Sequence, residues 1–237
     1  MDIELPVVYL CGDSTVCDQP GEAYASWGQM LTRFFKPDVV IANHGESGES
    51  LRGFLSEKRW AKIMSLLEPG DYVVVQMGHN DSKERGEGVG AFTTYKADLK
   101  RFVADTRIKG ATPILVTPME RRGFNGAKAK LSHGDYPEAV RQLAKENNIA
   151  MIDLHAMSVQ FYEALGPEKA HLALAVRQET DFNGKFGAGP FAFHFLCLCK
   201  YGRECCCDAR CGKAERHRSI GSTWPDSKLS SQGPQVP

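Results

Sequence analysis

The 237-residue chain carries no surplus charge of either sign, with 29 lysines and arginines set against 29 aspartates and glutamates. Such a balance gives no global field to attract a nucleic acid or an anionic membrane, and neither is expected as a partner. No apolar run is long enough to span a bilayer, and Met1-Asp2-Ile3-Glu4-Leu5-Pro6 lacks the basic and apolar regions of a secretory leader. As written, the sequence reads as a soluble cytoplasmic protein, export being reserved for a longer form. Cysteine is sparse through most of the chain. Of eight cysteines, Cys11 and Cys17 lie near the start and the other six crowd between Cys197 and Cys211. Neither a disulfide framework spread over a fold nor the paired C-x-x-C spacing of a zinc site is present.

What is present is alternation. Val7-Val8-Tyr9-Leu10-Cys11, Val39 to Ala42, Tyr72 to Met77, Pro113 to Thr117 and Ile149 to Leu154 are short β-branched or apolar runs that read as buried strands. Between them lie stretches with helical spacing, among them Trp27, Met30, Leu31, Phe34 and Phe35, then Trp60, Ile63, Met64 and Leu67, then Phe92, Tyr95, Leu99, Phe102 and Val103. Gly110 is placed to end the third of these helices. A helix near Pro137 to Asn147 and another holding Phe161, Tyr162 and Leu165 follow. The segment from Pro118 to His133 reads as a long basic loop. Right-handed crossovers put such helices on both faces of a parallel sheet. The expected architecture is a three-layer α/β/α sandwich with a five-stranded, flavodoxin-like sheet of order 2-1-3-4-5. It occupies residues 1–175, and residues 176–237 form a tail.

The first three strands each run into polar residues at the carboxyl edge, where an open sheet binds ligands. Strand one ends in Gly12-Asp13-Ser14-Thr15, strand two in the loop Asn43 to Ser50, and strand three in Gly78-His79-Asn80-Asp81. Taken alone, Asp13-Ser14 is a helix cap, Gly48 a loop glycine, Asn80-Asp81 an Asx turn and His79 a loop histidine. Their joint occurrence reverses that weighting. Acyl transfer needs a nucleophile and hydrogen-bond donors aimed at a developing oxyanion. Ser14 supplies a hydroxyl and its own N–H, Gly48 an unhindered N–H, and Asn80 a side-chain amide.

These blocks resemble the first three blocks of the SGNH (GDSL-like) hydrolases. Thr15 and the tract Tyr24-Ala25-Ser26-Trp27-Gly28-Gln29 look most like the rhamnogalacturonan acetylesterase branch. The resemblance implies Ser14 as nucleophile, with Gly48, Asn80 and the Ser14 amide as oxyanion hole. It implies hydrolysis of an acetyl or other short acyl ester on a plant polysaccharide, with no metal and no organic cofactor. His79, Arg121 and Arg122 are candidates for substrate contact, the two arginines through uronate carboxylates.

The fourth block departs from the family. No Asp-x-x-His string occurs anywhere; the nearest tract is Glu179-Thr180-Asp181-Phe182-Asn183, with Asp181 where the family has its histidine. Asp181 is thus a candidate substitute in the base position. Because aspartate is a poorer proton acceptor than histidine at neutral pH, a second reading is an esterase-like protein that binds a glycan and turns over poorly. A third takes Gly78-His79-Asn80-Asp81 as a metallophosphoesterase block, but its His and Asn are inverted and the other ligand strings are missing. His155 reads as a strand-end histidine held by local hydrogen bonds. Beyond Ala175 periodicity fades, Cys205-Cys206-Cys207 gives way to a Ser/Pro-rich run, and the tail is expected to be disordered, the product of a frame error or a divergent gene end.

Overall fold

The structure is a computed structural model, and it describes residues 5–19 and 26–173. In chain order its elements are β1 (Val7–Gly12), α1 (Trp27–Met30) continued by a 3-10 turn, β2 (Val40–Asn43), α2 (Leu51–Ser56), α3 (Arg59–Leu66) and β3 (Tyr72–Gln76). A turn of π-helix (Ala91–Tyr95) opens α4 (Lys96–Ile108), and β4 (Thr112–Val116), the short pair β5 (Phe124–Asn125) and β6 (Lys128–Ala129), α5 (Tyr136–Glu146), β7 (Ala150–Ile152) and α6 (Leu154–Lys169) follow. The main sheet has five strands, all parallel, in the order β2-β1-β3-β4-β7. This is the expected flavodoxin-like order.

Successive side chains of a strand point to opposite faces, so a strand covered on both sides must be apolar throughout. Tyr9, Cys11, Val73, Val75 and Leu115 face one layer, where Leu51, Phe54, Trp60, Ile63, Leu99, Phe102, Val140 and Leu143 of α2 to α5 cover them. Val8, Leu10, Val74 and Val116 face the other, under Trp27 and Leu31 on one side and Leu154 and Tyr162 of α6 on the other.

Four details differ from the periodicity. A separate helix, α2, precedes α3, because Ser50 caps it by accepting from Gly53 N and Lys58 breaks it in a left-handed conformation (φ 63°). Phe34 and Phe35 fall outside α1, which tightens to a 3-10 turn from Leu31. The loop from Pro118 contains the antiparallel pair β5 and β6. Asp153 lies beyond β7 and instead caps α6, accepting from Ala156 N at 3.1 Å. Gly110 lies two residues past the end of α4, after the cap Lys109, at φ 74°, in the left-handed conformation expected of a helix-ending glycine. The expectations for Asp181 and for the tail fall outside the described residues.

Phe102 is fully buried and stacks on Trp60 with ring centroids 4.2 Å apart. Phe102→Ala removes the centre of that layer and should lower unfolding free energy by about 3–5 kcal/mol, read as a shift in urea midpoint by far-UV circular dichroism.

Candidate active site

β1 ends at Gly12, and the next residues close a helical turn. The Asp13 carbonyl accepts from Val16 N (2.9 Å) and Cys17 N (3.0 Å), while its carboxylate Oδ1 accepts from both Thr15 N and Thr15 Oγ1 at 2.8 Å. Ser14 is carried at the carboxyl edge of the sheet by this doubly tied turn. Asp13 itself is fully buried. Burial alone would raise its pKa, but the neighbouring His79 and the two Thr15 donors outweigh that and hold the carboxyl below its ordinary range.

The three strand ends are bound to one another through residues beside the candidates. Between the first and second, Glu46 N donates to Gly12 O at 3.0 Å and Cys17 Sγ lies 3.5 Å from Ser47 Oγ. Between the second and third, Asn80 Nδ2 donates to Glu49 O at 2.8 Å, and Asp81 Oδ1 accepts from Leu51 N at 2.9 Å. Between the first and third, His79 Nδ1 meets Asp13 Oδ2 at 3.1 Å. Gln76, at the end of β3, donates to Thr15 Oγ1 and accepts from Trp27 Nε1 at 2.8 Å, extending the contact under the sheet edge. From the helical side Tyr95 OH donates to Met77 O (2.9 Å) and Tyr136 OH to Asp81 O (3.0 Å).

This frame leaves particular donors unused. Among the described residues neither the N–H nor the hydroxyl of Ser14 makes a hydrogen bond, and the N–H of Gly48 makes none either. Gly48 is exposed at φ 89° and nothing lies within 4 Å of where a Cβ would stand. A side chain there would be strained by backbone conformation rather than by a clash. Asn80 turns its Oδ1 to Lys83 Nζ at 2.9 Å and spends one amide hydrogen on Glu49 O, so its second amide hydrogen remains. These are the donors an oxyanion requires. Gly78 serves the same loop differently: at φ 135°, a Cβ on it would lie 2.9 Å from Pro118.

His79 is buried and its Nδ1 meets Asp13, so it belongs to the frame around Ser14, with Nε2 buried and unbonded. With His79 Nδ1 on Asp13, Asn80 on Glu49 O and Asp81 accepting from Leu51 N and Gly78 N, the block Gly78 to Asp81 holds the loops together. Behind His79 a second polar row begins. His133 meets the His79 ring edge-on with centroids 4.4 Å apart and donates from Nε2 to Met119 O (2.9 Å). Glu120 is fully buried and accepts from Arg121 N (2.8 Å), Ser132 N (3.0 Å), Ser132 Oγ and His155 Nε2 (3.1 Å). His155 sits in the first turn of α6 rather than at a strand end, and it is held by Glu120 and Arg141, 35 and 14 residues away in sequence. Arg141 clasps Asp153 through Nε (2.8 Å) and Nη2 (3.0 Å). Arg121 reaches back to His79 O at 3.2 Å, and Arg122 is half-buried on the same segment.

Residues 10–178 match the model of the GDSL-like lipase/acylhydrolase family. The chain belongs to that family. It is 41% identical over 167 residues to rhamnogalacturonan acetylesterase RhgT of Bacillus subtilis, covering 69% of this chain and 71% of that one. It is 37% identical over 192 residues to the probable rhamnogalacturonan acetylesterase YesY of the same organism, covering 78% and 88%. Among solved structures, YxiM of Bacillus subtilis superposes with a TM-score of 0.71 at 26% identity, over 80% of this chain and 55% of that one. The fold also matches Axe2, an acetylxylan esterase of Geobacillus stearothermophilus, at a TM-score of 0.62 and 18% identity, over 83% and 95%.

Within this GDSL-like chain, motif reading singled out Ser14, Gly48 and Asn80, which the fold sets at the ends of the first three strands, but not the residues that hold those loops in place. Asp13 carried a signal, being an acid beside the nucleophile at a strand end. Glu120, His133 and Gln76 carried little, since nothing local marks a polar side chain as buried. Burial, with the charges of His79 and Arg121, pushes the His133 pKa well down, while hydrogen bonds from His155 and Ser132 hold Glu120 low against its own burial. The folded chain therefore keeps His133 neutral, whereas the unfolded chain protonates it near 6.5. The unfolded state then binds the extra proton, and stability should fall as pH drops through about 6.5, by up to about 1.4 kcal/mol per pH unit. Glu120 adds to the loss only below its unfolded pKa of about 4.5. Urea midpoints between pH 7 and 5 should show this slope, and His133→Gln should flatten it; an equal slope in the variant would refute the assignment.

Proposed function

We propose that this chain is a serine esterase that removes acetyl groups from an acetylated plant polysaccharide. The observation that supports the reading is an unbonded Ser14 hydroxyl at the end of β1, with unspent donors on the loops bonded to it: the N–H of Ser14, the N–H of Gly48 and the second amide hydrogen of Asn80. Ser14 Oγ attacks the acetyl carbonyl and its proton passes to a base. The carbonyl oxygen becomes an oxyanion facing those donors, the C–O bond to the sugar breaks, and the sugar oxygen takes up the proton. Water then releases acetate from the serine by the same steps. The names of RhgT and YesY support rhamnogalacturonan as the polymer, and Axe2 adds xylan as the comparison substrate.

The proton acceptor is the residue this reading leaves to Asp181. In Axe2, alanine variants of a serine, an aspartate and a histidine are catalytic mutants; the assignment of Asp181 here rests on the resemblance of its own short tract to the family's. The unbonded Ser14 hydroxyl also favours the second reading, a glycan-binding protein of low turnover, which binding without measurable acetate release would establish.

Ser14→Ala should abolish acetate release from acetylated rhamnogalacturonan, and Asn80→Ala should slow kcat by about 10² to 10³. Release that persists unchanged in Ser14→Ala refutes the nucleophile. Asp181→His should raise kcat, and the gain should vanish in the Ser14→Ala background. A folded Asp181→His chain with no gain would show that the tract does not occupy the base position.

A further inference from the structure

Three cations converge on the loop that carries Asn80, and each is anchored by a neutral oxygen. Lys83 Nζ donates to Asn80 Oδ1 (2.9 Å), Arg85 Nη1 to Ser82 O and Glu84 O (2.8 Å each), and Arg121 Nη2 to His79 O (3.2 Å) with Nη1 at 3.4 Å from Ser132 Oγ. Among the described residues none of the three forms an ion pair with a carboxylate. Acidic partners are near. Glu84 is turned to Ser50 and Arg52, and Glu120, next to Arg121 in sequence, is turned inward to Ser132 and His155. In a chain of zero formal charge this leaves a positive rim along the loop that carries Asn80. Arg121 differs from the other two. It is half-buried, whereas Lys83 and Arg85 are exposed, and its guanidinium is fixed at two points with further N–H groups unspent. A planar cation held in this way is suited to a carboxylate, which it can meet with two parallel bonds.

We infer that Arg121 is a specificity-determining residue that binds the carboxylate of a uronate in the polysaccharide next to the acetylated sugar, with Lys83 and Arg85 supplying an attractive field around it. The inference rests on the esterase reading for its substrate class, and it separates this chain from an esterase built for neutral xylan. A sugar acid delivers its charge at a fixed distance from the ester, so the contact would orient the acetyl group as well as hold the chain.

The test needs no turnover. Titration calorimetry on the full-length Ser14→Ala protein would compare a galacturonate oligosaccharide with its methyl-esterified form, which has the same shape and no charge. The acid should bind about 10- to 100-fold more tightly, as loss of charged hydrogen bonds implies, and the difference should shrink with added salt. In the Ser14→Ala background, Arg121→Gln should erase the preference, and Arg121→Lys should restore part of it, keeping the charge without the fork. Thermal unfolding of each variant checks folding, and the acid-to-ester comparison needs no change at Arg121. Equal binding of acid and ester, or a preference that survives Arg121→Gln, overturns the inference. Failure of the esterase reading would show separately, as absence of Ser14-dependent hydrolysis of a small neutral acetyl ester by the otherwise unaltered chain.

Discussion

A carboxylate with no exposure to solvent sits beside Ser14, and the arrangement of these loops follows from how its charge is satisfied. Asp13 accepts from Thr15 N, Thr15 Oγ1 and His79, and removal of any of these would leave a buried anion short of partners, which costs several times what an ordinary hydrogen bond contributes. The carboxylate therefore enforces the turn that presents Ser14 and the position of the loop that presents Asn80. Thr15 and Gln76 carry the constraint to Trp27 and so to the helix beneath. Specific geometry at the sheet edge is thus maintained by polar bonds, while the two apolar layers supply the bulk of the burial.

The second buried acid, Glu120, organises the opposite side of the loop. It binds both backbone and side chain of Ser132 and the imidazole of His155, so the segment between β4 and α5 is drawn onto the start of α6. His133 follows Ser132 directly and is thereby placed against His79. Two strand-end systems, one at β1 and β3 and one at β4 and β7, meet at that ring contact.

Which parts were legible follows from range. Strand positions and order could be read because buried parallel strands are nearly continuous apolar runs, and Val73, Val74 and Val75 advertise themselves to both faces. The candidates Ser14, Gly48 and Asn80 stood out because each lies in a polar segment that follows a strand, and the structure sets those segments at one edge of the sheet. The division between α2 and α3 was not, since it rests on a left-handed lysine, a conformation that residue type does not announce. Nor was the β5 and β6 pair, whose two-residue strands are too short to show a period. The inward turn of Glu120 was hidden for a different reason. In the run Glu120-Arg121-Arg122 the local expectation is a solvated acid paired with its neighbours, and only partners 12 and 35 residues away draw it under the surface.

The cross-links among Gly12, Asp13, Glu46, Glu49, His79 and Asp81 all fall within the first third or so of the chain. In the esterase proposed above, the acceptor of the serine proton would be contributed from far downstream in sequence. Chemistry and cradle would then be encoded in separable stretches. Drift in the downstream stretch would change how fast an ester is cleaved while the bonded strand ends keep their frame, and such a lineage could pass between catalyst and receptor without refolding.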